Sequence, residues 1–166
     1  MATASIMRNL IIAYTDGQNL EARERMAVAA CMAGLAFTRV GVGYVHAIAH
    51  QLGGLYHVPH GLANAIVMPY VLEFSKPNCT HRLAELARVS DIGESGASDA
   101  ELADAFIAQI RKLNKDMQIP GTIKELRRED FDTIIDRAFA EAHGTYGVPR
   151  YLTRDDALVL LEKLLP

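Results

Sequence analysis

The sequence predicts an all-α protein, and three of its features lead to that fold class. Apolar residues recur every three to four positions over most of the chain, as they do on one face of a helix. Residues 20–40 are rich in alanine and contain no proline, which favours helix. No segment alternates apolar and polar residues as a strand does. Half of the 166 residues are hydrophobic, enough for a core, so we predict a single helical domain over residues 1–166.

Start and stop signals place four helices in the first half of the chain. Asp16-Gly17 ends the first helix, and Asn19 is positioned to cap the second. Gly53-Gly54 is expected to end the third helix, and Pro59 suits the first turn of the fourth. Pro69 lies inside that fourth helix and is expected to kink it. The four predicted helices span residues 2–15, 20–40, 44–52 and 59–74.

The second half continues in the same way after Pro77-Asn78, which open a fifth helix. Residues 91–97 form the most loop-like stretch of the chain. Ser98 and Glu101 form a capping-box pair, and Thr153 is positioned to cap the last helix. The helices predicted here span residues 79–89, 98–117 and 129–142, followed by one that begins after Thr153. The third of these should bury one face, formed by Phe131, Ile134, Ile135 and Ala138.

Composition excludes two classes of partner. The net charge is −3, and no basic run is interleaved with aromatic residues, so we expect no nucleic-acid surface. No apolar stretch reaches the ~18 residues of a membrane-spanning helix, and residues 1–5 lack the basic start of a signal peptide. Cys31 and Cys79 both fall in predicted helices, which favours buried thiols over a disulfide. We therefore expect a protein of the reducing cytoplasm.

The histidines are the strongest functional signal, because four of the six lie within fifteen residues: His46, His50, His57 and His60. His46 and His50 are four residues apart and share one helix face. On one straight helix His60 would lie ~21 Å from His46, so the chain must fold back between them. Each histidine alone would be a surface or packing residue. The set favours a metal site for zinc or ferrous iron, which imidazole suits.

Other catalytic patterns are weaker or incomplete. The segment from His46 to His50 resembles the H-E-x-x-H pattern of metalloproteases, but Ala47 stands where the glutamate base must be. Residues 41–43 carry two glycines of a dinucleotide-binding loop but lack the third glycine and a preceding strand. His81 and His143 lie alone, and we predict that they face solvent or pack in the core.

Residues 33–64, AGLAFTRVGVGYVHAIAHQLGGLYHVPHGLAN, closely resemble the central motif of the iron-containing (group III) alcohol dehydrogenases. Weaker similarity continues through Met68-Pro69, Ile119-Pro120 and the segment 146–149. In that last segment the family often has Tyr-Pro-Val-Pro, and Gly147 departs from it. The resemblance covers nearly all of this chain but only the C-terminal half of the family. It implies the helical bundle of that family's C-terminal domain, which is dehydroquinate synthase-like.

The resemblance also implies roles for single residues. His46 and His60 match two of the four protein ligands of a catalytic Fe²⁺ or Zn²⁺ ion. His50 matches the histidine that does not bind the ion and takes part in proton transfer, and Phe37 matches an aromatic residue of the substrate pocket. The implied reaction is the NAD(P)-linked interconversion of a small alcohol and an aldehyde or ketone.

The family's other two ligands, spaced D-x-x-x-H, have no counterpart before His46, and neither has its N-terminal dinucleotide-binding domain. We therefore expect a chain that begins partway through the helical domain, has no identifiable cofactor-binding residues and is inactive without the N-terminal part. Two alternatives stay open: a non-catalytic helical module that binds metal or oligomerises, and an enzyme that takes ligands from another chain. Exposure of Ile6, Leu10 and Ile11 would favour a homo-oligomer.

Overall fold

The computed structural model describes all 166 residues, and its regular elements are seven α-helices and one short 3₁₀ turn, with no strand. The all-α prediction is therefore confirmed. The helices are α1 (Ala2–Thr15), α2 (Leu20–Phe37), α3 (Tyr44–Tyr56), α4 (His60–Val89), α5 (Asp99–Asp116), α6 (Phe131–Ala142) and α7 (Arg154–Glu162). The 3₁₀ turn, Arg128–Asp130, leads directly into α6. No helix combines the length and the apolar composition that crossing a membrane requires.

Three helices begin at the caps that the sequence predicts. The Asn19 side chain accepts a hydrogen bond from the Ala22 backbone N–H at 3.0 Å. Ser98 and Glu101 form a capping box at the start of α5, in which each side chain accepts from the other's backbone N–H. Thr153 caps α7 through a second box of this kind. Each cap satisfies N–H groups that the helix itself leaves unpaired, which is why these residue types fix the helix starts.

The third helix ends later than Gly53-Gly54, so that prediction is wrong. Helix α3 runs through both glycines to Tyr56, and the residue that ends it is His57. His57 adopts the left-handed conformation at φ 58°, and its N–H donates to the Gly53 carbonyl oxygen at 3.0 Å. Glycine inside a helix costs about 0.5–1 kcal/mol relative to alanine, and the packing of Leu55 and Tyr56 against the core outweighs that cost.

The predicted fourth and fifth helices lie end to end in α4, and a break at Cys79 (φ −138°, ψ 21°) separates them, as the sequence predicts. The break lies two residues after Pro77 and not at Pro69, where a kink was expected. Pro69 is buried, and its neighbours Ile66 and Val67 are almost fully buried in the core. This packing keeps the backbone helical there although proline removes one hydrogen bond.

The chain folds as two compact units, each built from two segments. Unit 1 comprises Met1–Arg39 and Cys79–Met117, and unit 2 comprises Val40–Asn78 and Gln118–Pro166. Within unit 1, α1 packs along α2, and within unit 2, α3 packs against α6. Unit 2 contains the largest fully buried side chains, which are Leu52, Val67, Ile123, Ile134, Ile135, Leu161 and Leu164. That a single domain spans residues 1–166 stays a prediction.

Several burial predictions can be compared with the fold. Phe131, Ile134, Ile135 and Ala138 are buried on one face of α6, as predicted. No disulfide joins Cys31 and Cys79, but Cys31 is exposed and only Cys79 is partly buried, so burial was predicted wrongly for Cys31. Cys31 lies two residues past the buried Ala29, and therefore about 200° around α2 from it.

The apolar residues near the start of the chain are less exposed than expected. Ile6, Leu10 and Ile11 are all partly buried, because α1 packs along α2 within unit 1. The most exposed apolar side chains on the helices of unit 1 are on α2, where Leu20 is 77% and Leu35 is 73% exposed. A surface for self-association would therefore include α2.

Candidate metal centre

Two helices of unit 2 bring three histidines together. His46 and His50 lie on successive turns of α3, and His60 is the first residue of α4. Only residues 57–59 separate the two helices, and the left-handed backbone of His57 turns the chain there. The ring centroid of His46 lies 5.3 Å from that of His60 and 5.8 Å from that of His50. His50 and His60 stack with their centroids 5.3 Å apart and their planes at 22°.

The environment of His46 favours a neutral ring. Burial lowers the pKa of His46, nearby His60 and His50 lower it further, and Glu141 and the backbone at Val42 oppose them. The Nδ1 atom of His46 is buried and makes no hydrogen bond of ordinary geometry within the protein. A neutral imidazole with an unpaired nitrogen is what a divalent cation requires of a histidine ligand.

His60 is held by a neighbour one turn further along α4. The Asn64 side-chain nitrogen lies 3.2 Å from His60 Nε2 and donates to the His60 carbonyl oxygen at 2.8 Å. Asn64 is buried, and its side-chain oxygen has no hydrogen-bond partner within the protein. The interior of the site therefore contains two polar atoms without protein partners, one on His46 and one on Asn64.

His50 is held from the other side by α6. Its Nδ1 atom lies 2.8 Å from Oε1 of Glu141, the penultimate residue of that helix. The Tyr146 hydroxyl donates to the same oxygen at 2.9 Å, and the Gln51 side chain donates to Oε2 at 3.4 Å. The His50 side chain is 40% exposed, so its ring connects the histidine cluster with solvent.

The donor atoms of this chain fit part of a metal site. His46 and His60 offer two converging imidazoles, and the surroundings of His46 favour its neutral form. No group of three or more His, Cys, Asp or Glu side chains is arranged to hold a metal ion. A catalytic zinc ion usually has three protein ligands, with one position left for water or substrate. The residues present are therefore compatible with two ligands of a larger set.

The remaining candidates lie outside the histidine cluster. Phe37 is the last residue of α2 in unit 1, and 46% of it is exposed. His57 is the cap of α3. His81 faces solvent, as predicted, and lies 2.8 Å from Asp99. The ring of His143, the other lone histidine, is exposed and stacks on Phe139 at 4.2 Å.

Sequence reasoning missed Glu141 and the role of Tyr146. Glu141 lies ninety-one residues from His50 along the chain. No local pattern distinguishes it from other acidic residues on α6, such as Asp132 and Asp136. Only the packing of α3 against α6 makes it part of the site.

Comparison with known proteins agrees with the fold. Residues 1–165 match the model of the Fe-containing alcohol dehydrogenase family, C-terminal. An NADPH-dependent butanol dehydrogenase from Clostridium saccharobutylicum is 40% identical over 148 residues, covering 86% of this chain and 37% of that protein. A 1,3-propanediol dehydrogenase from Klebsiella pneumoniae is 39% identical over 83% of this chain and 36% of its own length.

Solved structures give the same result. A crystal structure of a 1,3-propanediol oxidoreductase superposes with a TM-score of 0.91 at 35% identity, covering 98% of this chain and 43% of that one. An alcohol dehydrogenase from Oenococcus oeni superposes with a TM-score of 0.90 at 36% identity and with the same coverage. The chain thus spans well under half the length of the relatives that it matches. This chain belongs to the iron-containing alcohol dehydrogenase family and corresponds to the family's C-terminal, all-helical part.

Proposed function

We propose that this chain supplies part of the metal and substrate site of an NAD(P)-linked dehydrogenase that interconverts small alcohols with aldehydes or ketones. One observation carries the proposal. In this member of an alcohol dehydrogenase family, the ring centroids of His46 and His60 lie 5.3 Å apart, on either side of a three-residue turn. Relatives named for butanol, 1,3-propanediol and methanol support a short aliphatic substrate. Their names include both NADPH and NAD, so the proposal is for NAD(P).

In this proposal, His46 and His60 would hold Fe²⁺ or Zn²⁺. When bound, such an ion supplies Lewis-acid polarisation of the alcohol or carbonyl oxygen. His50 would accept the hydroxyl proton and, being 40% exposed, release it to solvent. Phe37 would line the substrate pocket. The hydride would pass between the substrate carbon and NAD(P).

Two imidazoles are fewer than the ligands that a tightly held catalytic ion needs. We therefore propose that further ligands and the cofactor-binding surface come from outside these 166 residues, and that these residues alone show little or no dehydrogenase activity. A reducing cytoplasm is the compartment we propose, since it would keep the exposed Cys31 thiol reduced.

The metal role is tested by titrating the purified chain anaerobically with Fe(II) and Zn(II) and measuring the heat of binding by calorimetry. We expect weak binding of one ion per chain, lost in both His46→Ala and His60→Ala. The matched control is His81→Ala, which removes an exposed histidine of unit 1 and should leave binding unchanged. Binding that survives both substitutions, or no binding to the wild type, would contradict the role.

The second candidate is a non-catalytic helical module that binds metal or oligomerises. The observation in its favour is the exposed apolar side of α2, where Leu20, Val28 and Leu35 are 77%, 52% and 73% exposed. Light scattering after size exclusion should then show homo-oligomers that Leu35→Arg dissociates. The control is Val159→Arg on α7, at a residue that is 58% exposed. A monomer at high concentration would contradict oligomerisation as the role of this module.

A further inference from the structure

We propose that Glu141 is a positioning residue that fixes the tautomer and the orientation of His50. The inference rests on the proposed function in one respect, since it takes His50 as the group that moves the hydroxyl proton. Its physical content is separate, because it concerns which of the two ring nitrogens of His50 carries the hydrogen. That property belongs to the chain without any metal or cofactor.

The contact itself determines the tautomer. His50 Nδ1 lies 2.8 Å from Glu141 Oε1. An ionised carboxylate only accepts hydrogen bonds, so Nδ1 must be the donor and must carry the hydrogen. The other nitrogen of a neutral His50, Nε2, is then left with its lone pair. A neutral histidine side chain in water prefers the opposite form, with the hydrogen on Nε2. Glu141 therefore reverses the intrinsic preference of the ring.

The carboxylate is held in place by two further donors. The Tyr146 hydroxyl donates to the same oxygen, Oε1, at 2.9 Å, and the Gln51 side chain donates to Oε2 at 3.4 Å. The hydrogen bond to Glu141 raises the pKa of Tyr146, so this phenol stays protonated and remains a donor. Because both oxygens are engaged, Glu141 has little freedom to turn away from His50.

Tyr146 is in turn fixed by Gly41. A Cβ atom at Gly41 would lie 2.7 Å from Tyr146 Cδ1, closer than any real contact, so the ring occupies space that only glycine leaves open. Gly41 also has φ +76°, a conformation that favours glycine. The contacts run from Gly41 through Tyr146 and Glu141 to His50, and every member lies in unit 2.

This arrangement matters for proton transfer because Nδ1 of His50 is hydrogen-bonded to Glu141, whereas Nε2 keeps a lone pair that can accept a proton. The His50 ring stacks on His60 at 5.3 Å and 22°, beside the two imidazoles proposed as ligands. With Nδ1 committed to Glu141, Nε2 is the atom that can accept a proton from a substrate hydroxyl. A carboxylate that orients a histidine and stabilises its charged form is a known way to sustain such a role.

The test is heteronuclear NMR of the ¹⁵N-labelled 166-residue chain in the presence of a chelator, at a pH above 8. The nitrogen that carries hydrogen and the bare nitrogen of a neutral imidazole resonate far apart, so the tautomer is read directly. His50→Gln assigns the signals. We expect the Nδ1–H form of His50 in the wild type and the Nε2–H form in Glu141→Ala. Glu141→Gln keeps an acceptor oxygen and should preserve the Nδ1–H form.

Glu129→Ala is the matched control, since it removes an exposed carboxylate of the same unit. It should leave the His50 signals unchanged. A wild-type His50 in the Nε2–H form would overturn the proposal whether or not any variant folds, as would an Nδ1–H form that persists in Glu141→Ala. Because no metal is present, these outcomes are independent of the metal titration that tests the proposed function.

Discussion

The Tyr56 hydroxyl donates a hydrogen bond to Asp130 Oδ2 at 2.6 Å and accepts one from the Arg127 N–H at 3.3 Å. Tyr56 is the last residue of α3, and Asp130 immediately precedes α6. The pair therefore fastens the end of the helix that carries His46 and His50 to a segment seventy-four residues further along the chain. This attachment adds to the apolar core in holding α3 against the segment that leads into α6.

Replacement of Tyr56 by phenylalanine tests this attachment. The substitution removes a hydrogen bond to a charged acceptor and leaves the Arg127 N–H without its partner, so the free energy of unfolding should fall by about 1–3 kcal/mol. Urea unfolding followed by circular dichroism measures the change. A variant as stable as the wild type would show that water replaces both contacts without cost.

The same pair predicts a dependence on alkaline pH. Burial and the hydrogen bond to Asp130 raise the pKa of Tyr56 to about 12, from about 10 in an unfolded chain. The stabilisation is therefore fully present below pH 10 and is lost as the pH rises through 12. The difference in unfolding free energy between the wild type and Tyr56→Phe should shrink between about pH 10 and pH 12. Tyr44 and Tyr146 are present in both proteins and cancel in the difference.

Gly41→Ala should destabilise the protein by about 1–3 kcal/mol, because the new Cβ meets the Tyr146 ring at 2.7 Å on a left-handed backbone. Thermal unfolding measures the loss. Gly17→Ala is the control, since a Cβ there meets nothing within 4 Å, and its effect should stay within about 0.5 kcal/mol. Equal effects of the two substitutions would contradict the packing described for Tyr146.

Gly54→Ala should have the opposite effect. Gly54 lies inside α3, and a Cβ there would meet nothing within 4 Å. Alanine restricts the unfolded chain and favours helix, so the free energy of unfolding should rise by about 0.5–1 kcal/mol. Chemical denaturation measures the gain, and a loss of stability would mean that the glycine is required at that position.

The two capping boxes lie in different units and allow each unit to be perturbed alone. Ser98→Ala removes the cap of α5 in unit 1, and Thr153→Ala removes the cap of α7 in unit 2. Each substitution should lower the free energy of unfolding by about 1 kcal/mol. Hydrogen exchange should become faster in the capped helix of the substituted unit. Unchanged exchange in both would argue against the caps as sources of stability.

The caps were predictable because capping is a local interaction. Asn19, Ser98 and Thr153 each bond to an N–H within three residues, so the sequence alone contains both partners. The end of α3 was not predictable in this way. Gly53-Gly54 is a strong local stop signal, and the packing of Leu55 and Tyr56 against a core built partly from later residues overrides it.

The residues of the site also differ in whether the local sequence could predict them. His46, His50 and His60 lie close in sequence, and their spacing indicates a shared function before any fold is known. Glu141 reaches His50 only because α3 packs against α6, and no short pattern encodes that packing. The role proposed for Phe37 stays a prediction, since it comes from the family resemblance alone.

The interleaved order of the two units has a consequence for synthesis on the ribosome. Unit 2 starts with Val40–Asn78 and is completed only by Gln118–Pro166, after Cys79–Met117 has joined unit 1. Translation of those intervening residues takes roughly 2–8 s. During that interval Leu52 and Val67 lack the side chains of α6 and α7 that later complete the core around them. We therefore expect the nascent chain to expose apolar segments of unit 2 to chaperones until α6 and α7 have been made.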